Sequence, residues 1–275
     1  MKKYLFKNLL SIIISLSILS CYTTCPDIYH RQVKPIPMKV PGWFASRPAQ
    51  LPAQLSGVRF AYGYSGKYID KDQQEKLQKE SAASNLAKEI QVELETGWAG
   101  VQIPGKGLSA SYITEKKWET RAKNISENIH VIKEYYSGCG IISLAVFSQN
   151  KIDSDQIIAS IDTQLIDINY DSPPSWFSKA IIKKDAIYGV GLSSHYAFSG
   201  DAWLEAEKQA RADIVFQLIS TQDHLKKRYS DNFGTWTKIL SENKAKMVLN
   251  NVQIVKHAYC QKNKTFYALA KMSLK

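Results

Sequence analysis

Apolar runs are scarce in this 275-residue chain. Apart from one segment near the N-terminus, no stretch approaches the ~20 apolar residues that a spanning helix needs. Cysteine is scarce too. Four residues, Cys21, Cys25, Cys139 and Cys260, do not make a disulfide scaffold. Cys139 and Cys260 fall in turns of similar hairpins, and free thiols are the expectation for both. Histidine is limited to His30, His130, His195, His224 and His257. No two have the spacing of a zinc helix, and no Cys-x-x-Cys accompanies them, so no metal and no cofactor is expected. Gly189-Val190-Gly191 lacks the third glycine of a dinucleotide loop and reads as a structural turn. Ser193, His195 and Asp201 lack a nucleophile-elbow context and read as solvated strand-end residues. No convergent catalytic group emerges, and an enzyme is not expected.

Charge is unbalanced. The chain carries a formal +11, of which Lys2, Lys3 and Lys7 contribute three, leaving +8 after the N-terminal segment. Such an excess favours anionic partners, such as lipid headgroups, lipopolysaccharide or acidic glycans. The longest basic block is only Lys226-Lys227-Arg228, and nucleic acid is not an expected partner.

The N-terminus explains where the chain works. Three lysines precede the apolar run Leu9–Leu19, which has the length of a secretory signal rather than of a spanning helix. It ends in Ile18-Leu19-Ser20-Cys21, which resembles a bacterial lipobox. The Cys21 thiol is therefore the expected acceptor of a diacylglyceryl group. Two or three acyl chains, each CH₂ worth ~0.8 kcal/mol, hold a protein firmly on a bilayer. Tyr22 after the anchor points to the outer membrane of the cell envelope. Residues 1–20 read as the lipoprotein signal peptide and 21–40 as a lipidated stalk punctuated by Pro26, Pro35 and Pro37.

Beyond the stalk the chain repeats its landmarks. Pro41-Gly42-Trp43-Phe44 returns as Pro174-Ser175-Trp176-Phe177, and Tyr62-Gly63 returns as Tyr188-Gly189. Ala82-x-Ser84-Asn85-Leu86 returns as Ala210-x-Ala212-Asp213-Ile214. Asn128-Ile129-His130-Val131-Ile132-Lys133 returns as Asn251-Val252-Gln253-Ile254-Val255-Lys256. Landmarks in one order at similar spacing read as two tandem copies of a small α+β domain. Each copy reads β-α-β-α-β-β, a sheet with helices on one face. The first covers 41–150 and the second 173–275, with a linker helix in 151–172.

Within the first copy, strands are expected at Arg59–Tyr64 and Gln91–Glu95, helices at Gln73–Ile90 and Lys116–Asn128, and a hairpin at Val131–Phe147. In the second, a strand at Ile187–Val190 leads to a helix up to about Leu218. A further helix is expected at Trp236–Asn250, then a hairpin over Val252–Leu274. Asp153–Asp167 reads as the linker helix.

The lipobox, the Pro-x-Trp-Phe and Tyr-Gly landmarks, the alanine-rich helix and the closing strand pair together resemble the LPP-type twenty-kilodalton outer-membrane lipoprotein family. Its relatives include flagellar basal-disc and ring lipoproteins. The likeness is best over Ser172–Leu274. It implies a non-enzymatic, lipid-anchored envelope protein that joins other envelope proteins or copies of itself, in some relatives as a ring. A binding module for lipopolysaccharide, peptidoglycan or another anionic polymer is the alternative. The candidate partner contacts are Trp43, Phe44, Trp176 and Phe177, with Trp98, Val101 and Ile103 in the inserted glycine-rich loop. The two Trp-Phe pairs are equally suited to staple each copy's entry segment onto its own sheet.

Overall fold

The computed structural model describes residues 38–48, 57–66, 70–98, 111–137, 140–148, 154–177, 182–183, 185–194, 199–227 and 245–274. The fold is mixed α+β, with small, mostly antiparallel sheets and helices packed on their faces.

In the first half, β2 (Arg59–Gly66) is followed by α2 (Lys71–Ile90), β3 (Gln91–Trp98), β4 (Ser111–Lys116) and α3 (Glu119–Ser126). The hairpin of β5 (Ile129–Ser137) and β6 (Gly140–Phe147) closes it. The strand order is β2-β6-β5. Asp70 starts α2 as a side-chain cap, accepting from the Asp72 and Gln73 amides. One face of the sheet presents Ala61 and Ala145 to Ala82, Ala83 and Leu86 of α2 and to Ala122 and Ile125 of α3. These small residues let the helices approach closely. Gly63 is part of that fit, since a Cβ there would lie 2.6 Å from the Gln78 carbonyl oxygen.

The second half begins with β9 (Ile182–Lys183) and β10 (Ala186–Ser193). Then come α5 (Ser199–Lys227), β11 (Ala245–Asn250), β12 (Val252–Cys260) and β13 (Thr265–Ser273). With the short β8 (Asn169–Tyr170), its sheet runs β8-β12-β13-β10-β9. The segment β10-β13-β12 has the same antiparallel order as β2-β6-β5. Both carry a β-bulge at matching landmark positions, between Val131 and Lys133 and between Ile254 and Lys256. Strands β2 and β10 are also edged alike. Tyr62 O accepts from Asn85 Nδ2 of α2, and Tyr188 O accepts from Gln217 Nε2 of α5. Asp213 of α5 accepts from the Val190 amide. Helix side chains thus occupy backbone groups that an open strand edge would leave unpaired.

The two halves are joined rather than strung apart. β11 pairs with β3 over Asn250↔Gln91 to Ala245↔Thr96, so the third sheet, β11-β3-β4, takes strands from both. Residues 42–47 pass between the other two sheets. Here β1 (Lys39–Pro41) pairs with β7 (Leu165–Asp167), and α1 (Gly42–Ala45) follows. The Arg47 amide then donates to Val255 O, the carbonyl of the bulged residue of β12. The central core gathers Trp43 and Phe44 with Phe60, Leu144, Trp203, Ile254 and Phe266. Each such side chain, buried whole, contributes roughly 1.5–3 kcal/mol.

Several expectations are corrected. Residues 228–244 lie outside the described residues, but Ala245–Asn250 is a strand, not the end of a helix, because β3 offers it a free edge. The linker helix is only α4 (Ser154–Ala159). The chain then turns so that Asp162 O and Gln164 O accept from the Trp43 and Gly42 amides, and Leu165–Asp167 becomes β7. Lys39 and Val40, read as stalk, form β1, with Val40 buried. Gly189-Val190-Gly191 lies inside β10, not in a turn.

Candidate functional site

Where the halves meet, titratable side chains from five elements converge. Alanines build the site by bringing α5 down onto β10 and β13. A Cβ at Gly189 would stand 2.1 Å from Ala210 O, and one at Gly191 would stand 1.9 Å from Ala206 O. With that side of α5 on its own sheet, Trp203, Glu207 and Arg211, spaced four residues apart, share a different stripe of the helix. Glu207 and Arg211 reach residues of the first half.

Glu207 is the hub. Its Oε1 accepts from the Tyr64 hydroxyl of β2 at 2.6 Å and lies 3.0 Å from His257 Nε2 of β12. His257 Nδ1 is 2.8 Å from Phe44 O. The imidazole stacks on the Phe44 ring, centroids 4.0 Å apart, and meets the edges of Tyr62 and Trp203. Burial alone would raise the Glu207 carboxyl, but the bonds from His257 and Tyr64, with the nearby Arg211 charge, lower it. Burial, with Glu207 adding to it, pushes the Tyr64 phenol well above its ordinary value.

Three further ion pairs flank the hub. Arg211 Nε donates to Glu115 Oε1 of β4 at 2.6 Å, and Lys88 Nζ approaches Glu115 Oε2 at 2.8 Å. Burial opposes ionisation of Glu115, yet Arg211 and Lys88 together outweigh it and hold the carboxyl at about 2. Arg47 donates to Glu89 Oε1 and to Phe60 O, both at 2.6 Å, while Glu89 Oε1 also accepts from the Ile254 amide. Burial nevertheless raises the Glu89 carboxyl, so this pair does not fully offset its desolvation.

Beside Tyr64 a surface cleft of about 420 Å³ opens between α2 and the start of α5. Ser65, Gly66, Leu77, Glu80, Ser81 and Asp201 are among its lining residues. The Tyr64 hydroxyl is bonded inward to Glu207, and Ser81 Oγ accepts from the Tyr64 amide. With two carboxylates and no lysine or arginine in its lining, the cleft is not suited to an anionic polymer.

The anticipated contact residues are dispersed. Trp43 and Phe44 are 2% and 0% exposed, so they form core and have no surface to offer a partner. The Trp43 carbonyl accepts from the Tyr62 hydroxyl at 2.8 Å. Trp176 and Phe177 are half-buried against Tyr267, on the five-stranded sheet. Trp98 ends β3. Cys21, Val101 and Ile103 lie outside the described residues, as do His195 and Cys139. Cys260 is a buried free thiol, and Ser193 donates to the Ser194 carbonyl.

None of Tyr64, Glu115, Glu207, Arg211 and His257 stands out by motif. One signal was available. Glu207 and Arg211 interrupt the buried run Ala202, Trp203, Ala206, Ala210, Ile214 on α5, and a charge inside an apolar stripe calls for a buried partner. No protein family, curated protein or solved structure matches this chain.

Proposed function

We propose that this chain is a lipid-anchored, non-enzymatic scaffold of the cell envelope, tethered to the outer membrane through Cys21, whose two halves act as one stiff block in a larger assembly. The observation that carries the reading is the use of the titratable cluster. Glu207, bonded to His257 within the second half, takes the Tyr64 hydroxyl of the first, and Arg211 pairs with Glu115 of the first. Each of these four charged or imidazole side chains is only 0–6% exposed. Groups committed in this way fix the relative placement of sheets, which suits a building block. The resemblance to ring-forming lipoproteins makes a ring around a flagellar or other envelope motor the specific assembly to look for.

Size-exclusion chromatography and crosslinking of the mature protein, with and without its acyl chains, test the proposal. Self-association, or capture of a defined envelope protein, is the expected result. A strictly monomeric protein without an envelope partner overturns it.

A further inference from the structure

We propose that the cleft beside Tyr64 is a binding site for a small hydroxylated amine, a ligand with one ammonium group on a compact, hydroxyl-bearing body. The inference rests on the cleft and its surroundings, and it is independent of the anchor and of any assembly. At about 420 Å³ the cleft has the volume of a small-molecule site, a class that spans roughly 300–1,000 Å³ and favours junctions between domains. It lies at such a junction, because β2 and α2 belong to the first half and the start of α5 to the second.

Charge selects the sign of the ligand. Glu80 of α2 and Asp201 of α5 line the cleft, and among the described residues no cationic side chain lines it. This is an acidic spot on a chain of formal charge +11. Lys76, one turn before Glu80, stands 4.0 Å from its carboxylate with 72% of its own side chain exposed, too loose a pair to neutralise it. The place of Asp201 in the first turn of α5 suits the helix dipole without any ligand. The carboxylates therefore do not define the site by themselves.

The second, independent observation is a set of unspent hydrogen-bonding groups under α2. The Ser65 hydroxyl oxygen is buried at the cleft lining and has no hydrogen-bond partner among the described residues. Neither has the Ser143 hydroxyl nor either atom of the Gln78 amide, and both of these residues are 0% exposed. Register puts the groups together. Ala61 pairs with Ala145 and Gly63 with Ser143, so Gly63, Ser65 and Ser143 share the sheet face on which the two alanines meet α2. A Cβ at Gly63 would stand 2.5 Å from Ser143 Oγ and 2.6 Å from Gln78 O, which places that turn of α2 directly over the pair. The packing under α2 is thus alanine-rich around Ala82 and Leu86 and polar one turn earlier, on the side where Ser65 meets the cleft. Folded proteins keep few buried polar groups without partners, so such a set marks a place that a bound molecule completes. A ligand hydroxyl both donates and accepts, and so serves Ser65 in either sense. Ser81 Oγ accepts from the Tyr64 amide and keeps its own proton for an acceptor. Leu77 and Leu204 give the body of the ligand an apolar wall.

The test titrates the ¹⁵N-labelled full chain, in detergent, with glucosamine and follows backbone amide shifts. Three further probes separate the parts of the ligand. N-acetylglucosamine keeps the hydroxyls without the charge, butylamine keeps the charge without the hydroxyls, and glucuronate reverses the charge. Saturable shifts at Ser65, Gly66, Glu80 and Asp201 are expected with glucosamine, severalfold weaker binding with the first two comparators, and none with glucuronate. Asp201→Asn and Ser65→Ala should each weaken glucosamine severalfold. Since the Ser65 hydroxyl has no partner within the described protein, Ser65→Ala should do so without lowering the melting temperature, an outcome that a structural role would not give. The absence of saturable shifts with glucosamine overturns the proposal. So does equal binding of N-acetylglucosamine or butylamine, or an unchanged glucosamine affinity in either variant.

Discussion

The Tyr64 hydroxyl donates to Glu207 across 143 residues of chain, at 2.6 Å and away from solvent. A single hydrogen bond therefore spans the seam between β2 and α5, and its acceptor is charged. Such bonds are worth about 1.5–3 kcal/mol, more than neutral ones. Tyr64→Phe keeps the ring and removes only the donor. Thermal or urea unfolding at neutral pH should show a loss of about 1.5–3 kcal/mol with native circular dichroism at low temperature. A loss below about 0.5 kcal/mol would show that the bond contributes little to the joint.

Acid stability follows from Glu115. Its carboxyl is held at about 2, below the ordinary carboxylate value of 4.5, by Arg211 and Lys88. Because the folded value is depressed, the unfolded chain binds the proton first. The stabilisation is complete above the ordinary value and disappears as pH falls from about 4.5 towards 2. At 1.36 kcal/mol per unit, the full effect is about 3 kcal/mol. Glu207, also lowered, acts in the same direction. Glu89, raised by burial, acts in the opposite one, its cost being relieved on protonation. Glu115→Gln should lose about 3–5 kcal/mol at neutral pH, because it strands the buried Arg211 charge. It should also flatten the acid limb of a stability-against-pH curve. An unchanged acid limb would place the depressed carboxylate elsewhere.

The local elements were legible before the long-range ones. Aromatic alternation at Arg59–Tyr64, the Leu77–Ile90 spacing and the two terminal hairpins all carry their signal within a few residues, and each forms where expected. β11 did not, because its strand partner β3 lies far away in the chain. The Gln91–Asn250 side-chain bond at one end of that pairing spans 159 residues. The Trp-Phe pairs were legible as staples, yet their different fates were not. Trp43 and Phe44 are sealed by α5 and β12, whereas Trp176 and Phe177 rest half-buried on Tyr267. The buried charges were hidden for the same reason: a glutamate on an amphipathic helix looks solvated until the second sheet arrives.

The second glycine of β10 makes a sharper prediction than its conformational freedom would. At Gly191 an added Cβ would stand 1.9 Å from Ala206 O and 2.3 Å from Ala210 N, both backbone atoms of α5. The helix must move for alanine to fit, and overpacking of this kind costs typically 1–3 kcal/mol or more. Gly140 offers the control, since its nearest atom would be 3.4 Å away. Gly191→Ala should lower stability by at least about 3 kcal/mol, while Gly140→Ala stays within about 1 kcal/mol. Equal effects in a denaturant titration would mean that α5 is not seated on β10 as closely as these distances require.

The anchor is the remaining prediction. Cys21→Ser removes the thiol that would accept lipid, and it lies well before Met38, where the described fold begins. Met38 packs against the central core and Val40 is buried within it, whereas Cys21 precedes both by more than fifteen residues. Among the described residues no helix is long and apolar enough to cross a membrane. If lipid is the strong bilayer contact, the basic surface left behind gives weak association that salt reverses, since exposed charges are screened within ~8 Å at physiological ionic strength. In fractionation, Cys21→Ser should move from the membrane pellet to the soluble fraction, with its melting unchanged. Retention on membranes in high salt would require a second anchor, and the apolar residues Trp98, Val101 and Ile103 would be the first place to look. Unfolding of the variant would instead show that the residues before Met38 belong to the core.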